Sequence, residues 1–512
     1  MAPGATASTD SHGAVSADPV TSRIETARAL LQARRAAEAL VPAQQAAAMA
    51  HGNGEAAALL SEVHAALAAG DPELVKLELK AVLNPDEAGG QLALGEAYAA
   101  ADRPHDAERC FKQALALGEQ RQAHALLAAL YLSVDMLEAA EHHAHQALAA
   151  EDRGAADDAL VAIAYQTLAG VLEARGDHEA AETCLDQAYA RQSLFRQPAH
   201  GAGFTTLVLV TRGAGNIDYG AMLPRDRFDR TVWYMEHARS EQIAALGDYA
   251  LVLNAIGDPD IAEASRPAVT RFLASCDRPV LNPPAAIEAT YRHRIGETLA
   301  GIADLVVPRA ARLRAGAIAE QGLARAVLQA GLGWPVIVRP AGSHGGKGLA
   351  LARSLDELND AAPATDTYVT AFHDYRSPDG FYRKYRMIFV DRRPHAYHLA
   401  IGPHWMVHHR SAEMAEDAER IAEEMRFLCD PEAALGERAL AAIRAVGERL
   451  DLDYGGIDFG LTGDGQVLLF EANATMLTHL EPADGAFAAK NRFIAPIQQA
   501  FRDHLTARAQ RG

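Results

Sequence analysis

The sequence predicts a multidomain protein: an all-α helical repeat array, then an α/β subdomain, then an α+β domain. Three observations lead there. Between about residues 22 and 195 Ala, Leu, Glu and Gln dominate, and apolar residues recur at i, i+3, i+4 and i+7 without a strand-like run. Near residue 200 the stretch RQPAHGAGF supplies helix breakers, and TTLVLVTRG follows as a buried strand opening a turn. Further on, β-rich runs carry glycines, cations and carboxylates at strand spacing.

Composition bounds the function classes. With 512 residues and 49% apolar content, the chain can bury several cores, and ordinary domain sizes imply roughly three or four units. The net charge of −19, with no Lys/Arg-rich tract to offset it, argues against a nucleic-acid partner. Cys110, Cys184, Cys276 and Cys429 lie far apart without a CxxC pair, so neither a disulfide framework nor a zinc finger is expected, and a reducing cytoplasm fits. The first residues are small and polar, lacking a basic and then apolar leader, and no apolar run of about 18 residues follows. Residues 1–21 are therefore expected to be disordered, and the protein to be neither exported by a standard signal nor membrane-spanning.

Within residues 22–197 one spacing repeats: Gly95 with Ala107, Phe111 and Ala114; Ala128 with Ala140, Ala144 and Ala147; Ala169 with Ala181, Leu185 and Ala188. Small residues at fixed offsets let paired helices approach closely. The stretches QLALGEAYAAADRPHDAERCFKQALAL, AHALLAALYLSVDMLEAAEHHAHQAL and AYQTLAGVLEARGDHEAAETCLDQAY resemble tetratricopeptide (TPR) repeats. Ala107 and Ala140 are 33 residues apart and Ala181 lies 41 on, which leaves room for an insertion around EDRGAADD; two further helix pairs are inferred between about 22 and 86. The resemblance implies a concave surface that receives a peptide or protein, or else a packing platform, and a homodimer is expected.

Residues 204–290 alternate β-rich runs (RTVWYM, YALVLNAIG, RPVLNPP) with helical segments such as EASRPAVTRFLASC, which predicts an open α/β sheet. The glycines of TRGAGNIDYG follow neither the dinucleotide nor the Walker A spacing, so a tight turn is expected there.

Two later stretches carry the chemistry. WPVIVRPAGSHGGKGLALA reads as a strand ending in Arg339, a loop containing Gly345, Gly346 and Lys347, and a second strand; such a loop can close backbone N–H groups over phosphate oxygens. YGGIDFGLTGDGQVLLFEANATM reads as a hairpin in which Asp458 can face Glu471, with Asn473 on the same side as Glu471. Two carboxylates and an amide are hard ligands suited to Mg²⁺, with Mn²⁺ as a substitute, shared with substrate phosphates.

A cation-ended strand with a Gly-rich loop, followed about a hundred residues later by D…FEAN, resembles the ATP-grasp superfamily, the glutathione synthetase and D-alanine ligase relatives among them. The resemblance covers roughly 280–500 and makes 204–290 the pre-ATP-grasp subdomain and 291–508 the ATP-grasp domain. It implies an ADP-forming carboxylate–amine ligase that binds ATP. By position Arg292, with Arg294 as the alternative, Arg339, Lys347 and the loop glycines meet phosphates; lysine is usual at the Arg292 and Arg339 positions in those ligases. Tyr368, Val369, Thr370 and Phe372 take the adenine positions. Arg386 falls where an arginine steadies the acyl phosphate, with Lys384 a lesser candidate. HWMVHHR, residues 404–410, puts His409 and Arg410 near the acceptor end, although adjacent His408 and His409 cannot both reach one ion from a strand; His344 in the Gly-rich loop is treated as incidental. The expected partners are a small carboxylate and an amine or peptide. A nucleotide-binding regulatory or scaffold protein and an ATP-grasp phosphotransferase are the rival readings.

Overall fold

The computed structural model describes residues 18–50, 54–150, 157–199, 203–224, 227–343, 346, 348–360, 365–407 and 414–511, apart from the side chains of residues 355, 359 and 360. The chain divides into two compact units, Met1–Gln192 and Ser193–Gly512. No helix among the described residues is long and apolar enough to cross a membrane.

In the first unit Pro19–Gln32 pairs with Ala36–Met49, Ala88–Ala100 with Pro104–Ala116, Gln120–Ser133 with Leu137–Ala149, and Asp158–Ala174 with His178–Arg191, whereas Gly54–Ala68 packs on Ala36–Met49 and Pro72–Leu83 on Ala88–Ala100, so the second of the two helix pairs expected upstream is not formed. The four pairs turn in the same way. Arg34, Asp102, Asp135 and Gly176 each stand at positive φ just past the first helix. The following residue then donates its N–H to a carbonyl five positions back, as Arg103 does to Tyr98 and Met136 to Tyr131. A left-handed residue at that place satisfies carbonyls the helix end would leave free. Ala107, Ala140 and Ala181 are fully buried between helices, as the repeat spacing requires. A Cβ on Gly95 would stand 2.4 Å from the Phe111 ring, so only glycine fits that crossing. The helical array fits TPR-like repeats, and the helix at Pro19–Gln32 begins three residues ahead of the expected boundary at 22. Residues 151–156, most of the expected insertion, lie outside the described residues, as do residues 1–17.

The second unit contains three sheets. Strands β1 (Leu194–Gln197), β2 (Thr205–Val210), β3 (Asp229–Tyr234), β4 (Leu251–Asn254) and β5 (Val280–Leu281) form the first, in the order β1-β3-β2-β4-β5. All neighbours in it are parallel except β1, which runs against β3 from Leu194↔Trp233 to Gln197↔Arg230. The sequence reading left LFRQ in the helical half because the segment has no alternation of its own; pairing with β3 makes it an edge strand, and the unit boundary moves to residue 193. The turn expected in TRGAGNIDYG is present, with Gly213 and Gly215 at positive φ and the Asn216 side chain bonded to both backbone groups of Thr211.

Strands β6 (Leu305–Val306), β7 (Ala310–Leu313), β8 (Val336–Pro340), β9 (Ala350–Ala352) and β10 (Thr367–Ala371) follow, and β7-β10-β8-β9 make an antiparallel four-stranded sheet. The third sheet is β12-β11-β13-β14-β6, built from β11 (Tyr382–Val390), β12 (Arg393–Gly402), β13 (Tyr454–Leu461) and β14 (Val467–Asn473). Its hairpin β11–β12 turns at Asp391 and Arg392, both at positive φ, as a two-residue turn between twisted strands needs. The amphipathic helices Ala418–Cys429, Glu437–Leu450 and Asn491–Ala509 bury their apolar faces in the core behind this sheet.

One buried polar knot ties the first sheet to the third. Asn282, just past β5, exchanges hydrogen bonds with the backbone of Tyr454 on β13, and its own N–H donates to Asp453 at 2.8 Å. Asp453 also meets His504 and Arg508, each at 2.8 Å, from the last helix. Burial pushes the Asp453 carboxyl up, but the bonds from His504, the Asn282 N–H and Arg508 outweigh it and hold the group below its ordinary value.

Two predictions follow from this packing. Gly95→Ala lowers stability by about 1–2 kcal/mol in denaturant unfolding despite its better helix propensity, and Phe111→Leu in the same chain relieves most of the loss. Because the Asp453 carboxyl is depressed in the folded state, its contribution is complete above the unfolded value of about 4 and disappears as pH falls through the folded value. The stability advantage of wild type over Asp453→Asn, measured by thermal unfolding, is therefore constant from about pH 5 to 8 and shrinks below about pH 4.

Candidate functional site

A cleft of about 210 Å³ opens between the four-stranded sheet and the third sheet. Register decides what faces it. Across the third sheet His398, Arg386, Asp458 and Glu471 are successive partners on β12, β11, β13 and β14, so one row of ionisable side chains crosses four strands. A bulge after Asp458 leaves Phe470 as an extra residue on β14, and consecutive Phe470 and Glu471 consequently both line the cleft. On the opposing sheet Tyr368 on β10 pairs with Arg339 on β8, and both side chains enter the same space.

The charges are closely matched. Asp458 is 4% exposed. Arg386 grips it through two parallel bonds of 2.6 and 2.9 Å, and Lys384 reaches it at 3.1 Å. Burial favours the neutral acid, but Arg386 and Lys384 overcome it and hold Asp458 well below the usual carboxylate range. Glu471 sits between Arg292 at 2.6 Å and Arg339 at 3.7 Å. Burial again acts upward, and the two guanidinium groups prevail, lowering Glu471 to about 2. Both carboxylates are thus ionised at neutral pH inside the cleft. Burial and the neighbouring Arg292 depress Arg339 in turn.

Asn473 lies beside Glu471, donating to it through Nδ2 at 2.6 Å, while its Oδ1 accepts from the Thr475 N–H at 2.9 Å. Its amide oxygen is thus turned toward Thr475, and Asn473 orients Glu471. Arg292 enters the cleft, whereas Arg294 is exposed and lies over the Tyr291 ring. Gly346 lines the opening. Gly345, Lys347 and His344, and at the other end His408, His409 and Arg410, lie outside the described residues.

The strand expected to hold the base divides by parity. Tyr368, Thr370 and Phe372 line the cleft, but the Val369 side chain is fully buried in the core with Val336 and Val338, because alternate residues of β10 face opposite sides. Val369 thus offers the cleft no side chain. The sequence reading missed the other wall of this apolar end: Tyr375, Trp405, Met406, Leu468 and Phe470. Trp405 meets Phe372 edge-on at 5.8 Å, and its carbonyl accepts the Tyr375 hydroxyl. The signal was present in HWMV, where the histidines drew attention from the intervening Trp405 and Met406.

Residues 302–377 match the family described as carbamoyl-phosphate synthase L chain, ATP binding domain. Over that stretch the second unit is similar to an ATP-binding domain. The match spans β6 through β10, the four-stranded sheet and its Gly-rich loop. No curated protein matches the sequence. Solved structures similar to the chain include a RimK domain ATP-grasp protein from Sphaerobacter thermophilus, with 17% identity and a TM-score of 0.36, covering 59% of this chain and 98% of that one. N5-carboxyaminoimidazole ribonucleotide synthetase from Thermotoga maritima matches at 14% identity and a TM-score of 0.32, covering 57% and 76%. The VanG D-Ala:D-Ser ligase from Enterococcus faecalis matches at 13% and 0.35, covering 60% and 99%.

The buried pair at the centre of the third sheet yields a stability test. Arg386→Met leaves Asp458 with Lys384 alone and costs roughly 3–5 kcal/mol in denaturant unfolding; adding Asp458→Leu to remove the stranded charge recovers most of it.

Proposed function

We propose that the protein is an ADP-forming carboxylate–amine ligase that uses ATP to make an acyl phosphate and then an amide or peptide bond. The observation that carries this reading is the convergence on one cleft of two ionised carboxylates, Asp458 and Glu471, with Arg339, Lys384 and Arg386 from two facing sheets and Arg292 from the segment after β5. Such a site handles concentrated negative charge, and the apolar wall of Phe372, Tyr375 and Trp405 beside it suits a planar base.

In the first step a carboxylate oxygen of the acyl donor bonds to the γ-phosphorus of ATP as the bond to ADP breaks. Arg292, Arg339 and Lys347 hold the phosphates with the backbone of Gly345 and Gly346, and Arg386 holds the transferred group. In the second step the acceptor nitrogen bonds to the acyl carbon as the bond to phosphate breaks, and its proton passes to the departing phosphate or solvent; His409 and Arg410 are assigned to the substrate from the sequence alone. Asp458, Glu471 and Asn473 fit Mg²⁺ or Mn²⁺: the carboxylates are already ionised and adjacent, and the amide can present its oxygen by a half-turn. A cation bound there supplies charge neutralisation to the phosphate oxygens. The small donor and amine or peptide acceptor, and a peptide or protein on the TPR-like surface, belong to the same reading, as does action in the cytoplasm.

The test is ATP turnover with Mg²⁺ against pooled amino acids, dipeptides and small carboxylates, scoring ADP apart from AMP. ADP and phosphate appear only with a particular carboxylate, and Glu471→Gln lowers the rate by about 100-fold or more. Release of AMP, or turnover indifferent to Glu471→Gln, defeats the proposal.

A further inference from the structure

The four-stranded sheet stands over the cleft, and its two edges differ. At the β9 edge it ends in the Gly-rich loop. At the β7 edge it is fastened to the loop that follows β4. Arg312 on β7 is the register partner of Tyr368 on β10, which is also the partner of Arg339 on β8, so Arg312, Tyr368 and Arg339 form a second row facing the same way. Asp260 meets both of the first two: its Oδ1 accepts the Tyr368 hydroxyl at 2.9 Å and lies 3.2 Å from Arg312. Arg312 also binds Glu263 at 2.7 Å and Asp366 at 3.2 Å. The side chains of Asp260 and Arg312 are 11% and 20% exposed, so little solvent screens the contact.

The same loop fixes the other phosphate-facing arginine. The Tyr291 hydroxyl donates to the Pro259 carbonyl at 2.8 Å, and His293 stacks on Tyr368 with ring centroids 5.9 Å apart. Arg292 lies between these two anchored residues and reaches Glu471.

We propose that Asp260 is a positioning residue for the ATP site: by clasping Arg312 and Tyr368 it seats the four-stranded sheet so that Arg339 and Arg292 converge on Glu471. It does not line the cleft, and acts through strand β10 and the 291–293 segment. The inference rests on the cleft being the nucleotide site.

The experiment is a double-mutant cycle on Mg·ATP affinity, measured by calorimetry on the full chain, with Asp260→Asn, Arg339→Ala and the two combined. Asp260→Asn alone weakens binding about tenfold but adds only about threefold in the Arg339→Ala background, because the part of its effect that passes through Arg339 is gone and the part that passes through Arg292 remains. Arg312→Lys, which keeps the charge but loses the fork, falls between wild type and Asp260→Asn. Full additivity, or Asp260→Asn binding as wild type does, overturns the proposal. Should wild type bind no ATP, or Arg339→Ala bind it normally, the reading of the cleft is what fails. The clasp is then judged by amide hydrogen exchange: faster exchange in β7 and β10 of Asp260→Asn supports it, and unchanged exchange overturns it.

Discussion

The bidentate pair between Arg386 and Asp458 is the constraint on which the second unit depends. An aspartate 4% exposed in the middle of a sheet is tolerable only as an ion with cations on its oxygens, and those cations must arrive from neighbouring strands. A one-residue slip of β11 would turn Arg386 and Lys384 into the helix-covered core and leave Asp458 alone. The observed register places β11 and β13 so that this does not happen, and the bulge after Asp458 then brings Glu471 level with it. Placement of the carboxylates and pairing of the strands are one problem with one solution.

Glu471 extends that logic beyond its own sheet. Its partners come from the segment after β5 and from β8, so three parts of the second unit converge on one side chain. Burial, and then like-charged Arg292 facing it across Glu471, depress Arg339 and make the cleft a place where added negative charge is welcome. The protein as a whole carries a net charge of −19, so this local excess of cations is set against an acidic background. A low-dielectric cleft focuses such a field where a polyanion would sit.

The repeat unit obeys a different rule. Its helices are rich in alanine and bury little volume each, so close approach replaces bulk, and the turn must be short and left-handed to bring two helices into that contact. Asp102, Asp135 and Gly176 occupy the left-handed position in the pairs the sequence displayed openly, while Arg34 occupies it in the first pair. Arginine is unusual at positive φ, and this explains why the sequence signal was faint there although the geometry is the same.

Much of this was legible in the residue order, because the relevant physics is local. Helical periodicity, the small residues of the repeats, the breakers near residue 200 and the parity of Glu471 and Asn473 are consequences of spacing along one segment. A hairpin with a short turn puts Asp458 and Glu471 on neighbouring arms, but its regular register would set Asp458 against Phe470, and the bulge after Asp458 is what makes Glu471 its partner. Tertiary structure decided what spacing cannot express. It chose Arg292 over Arg294 for the cleft, turned Val369 into the core, drew LFRQ into a sheet by giving it β3 as a partner, and brought Trp405 against Phe372. It also set Asp260 beside Arg312 and Tyr368, residues far apart in the chain. Each of these depends on which strands become neighbours, and that is settled by burial of whole faces and by the pairing of buried charges, neither of which belongs to any one segment of the sequence.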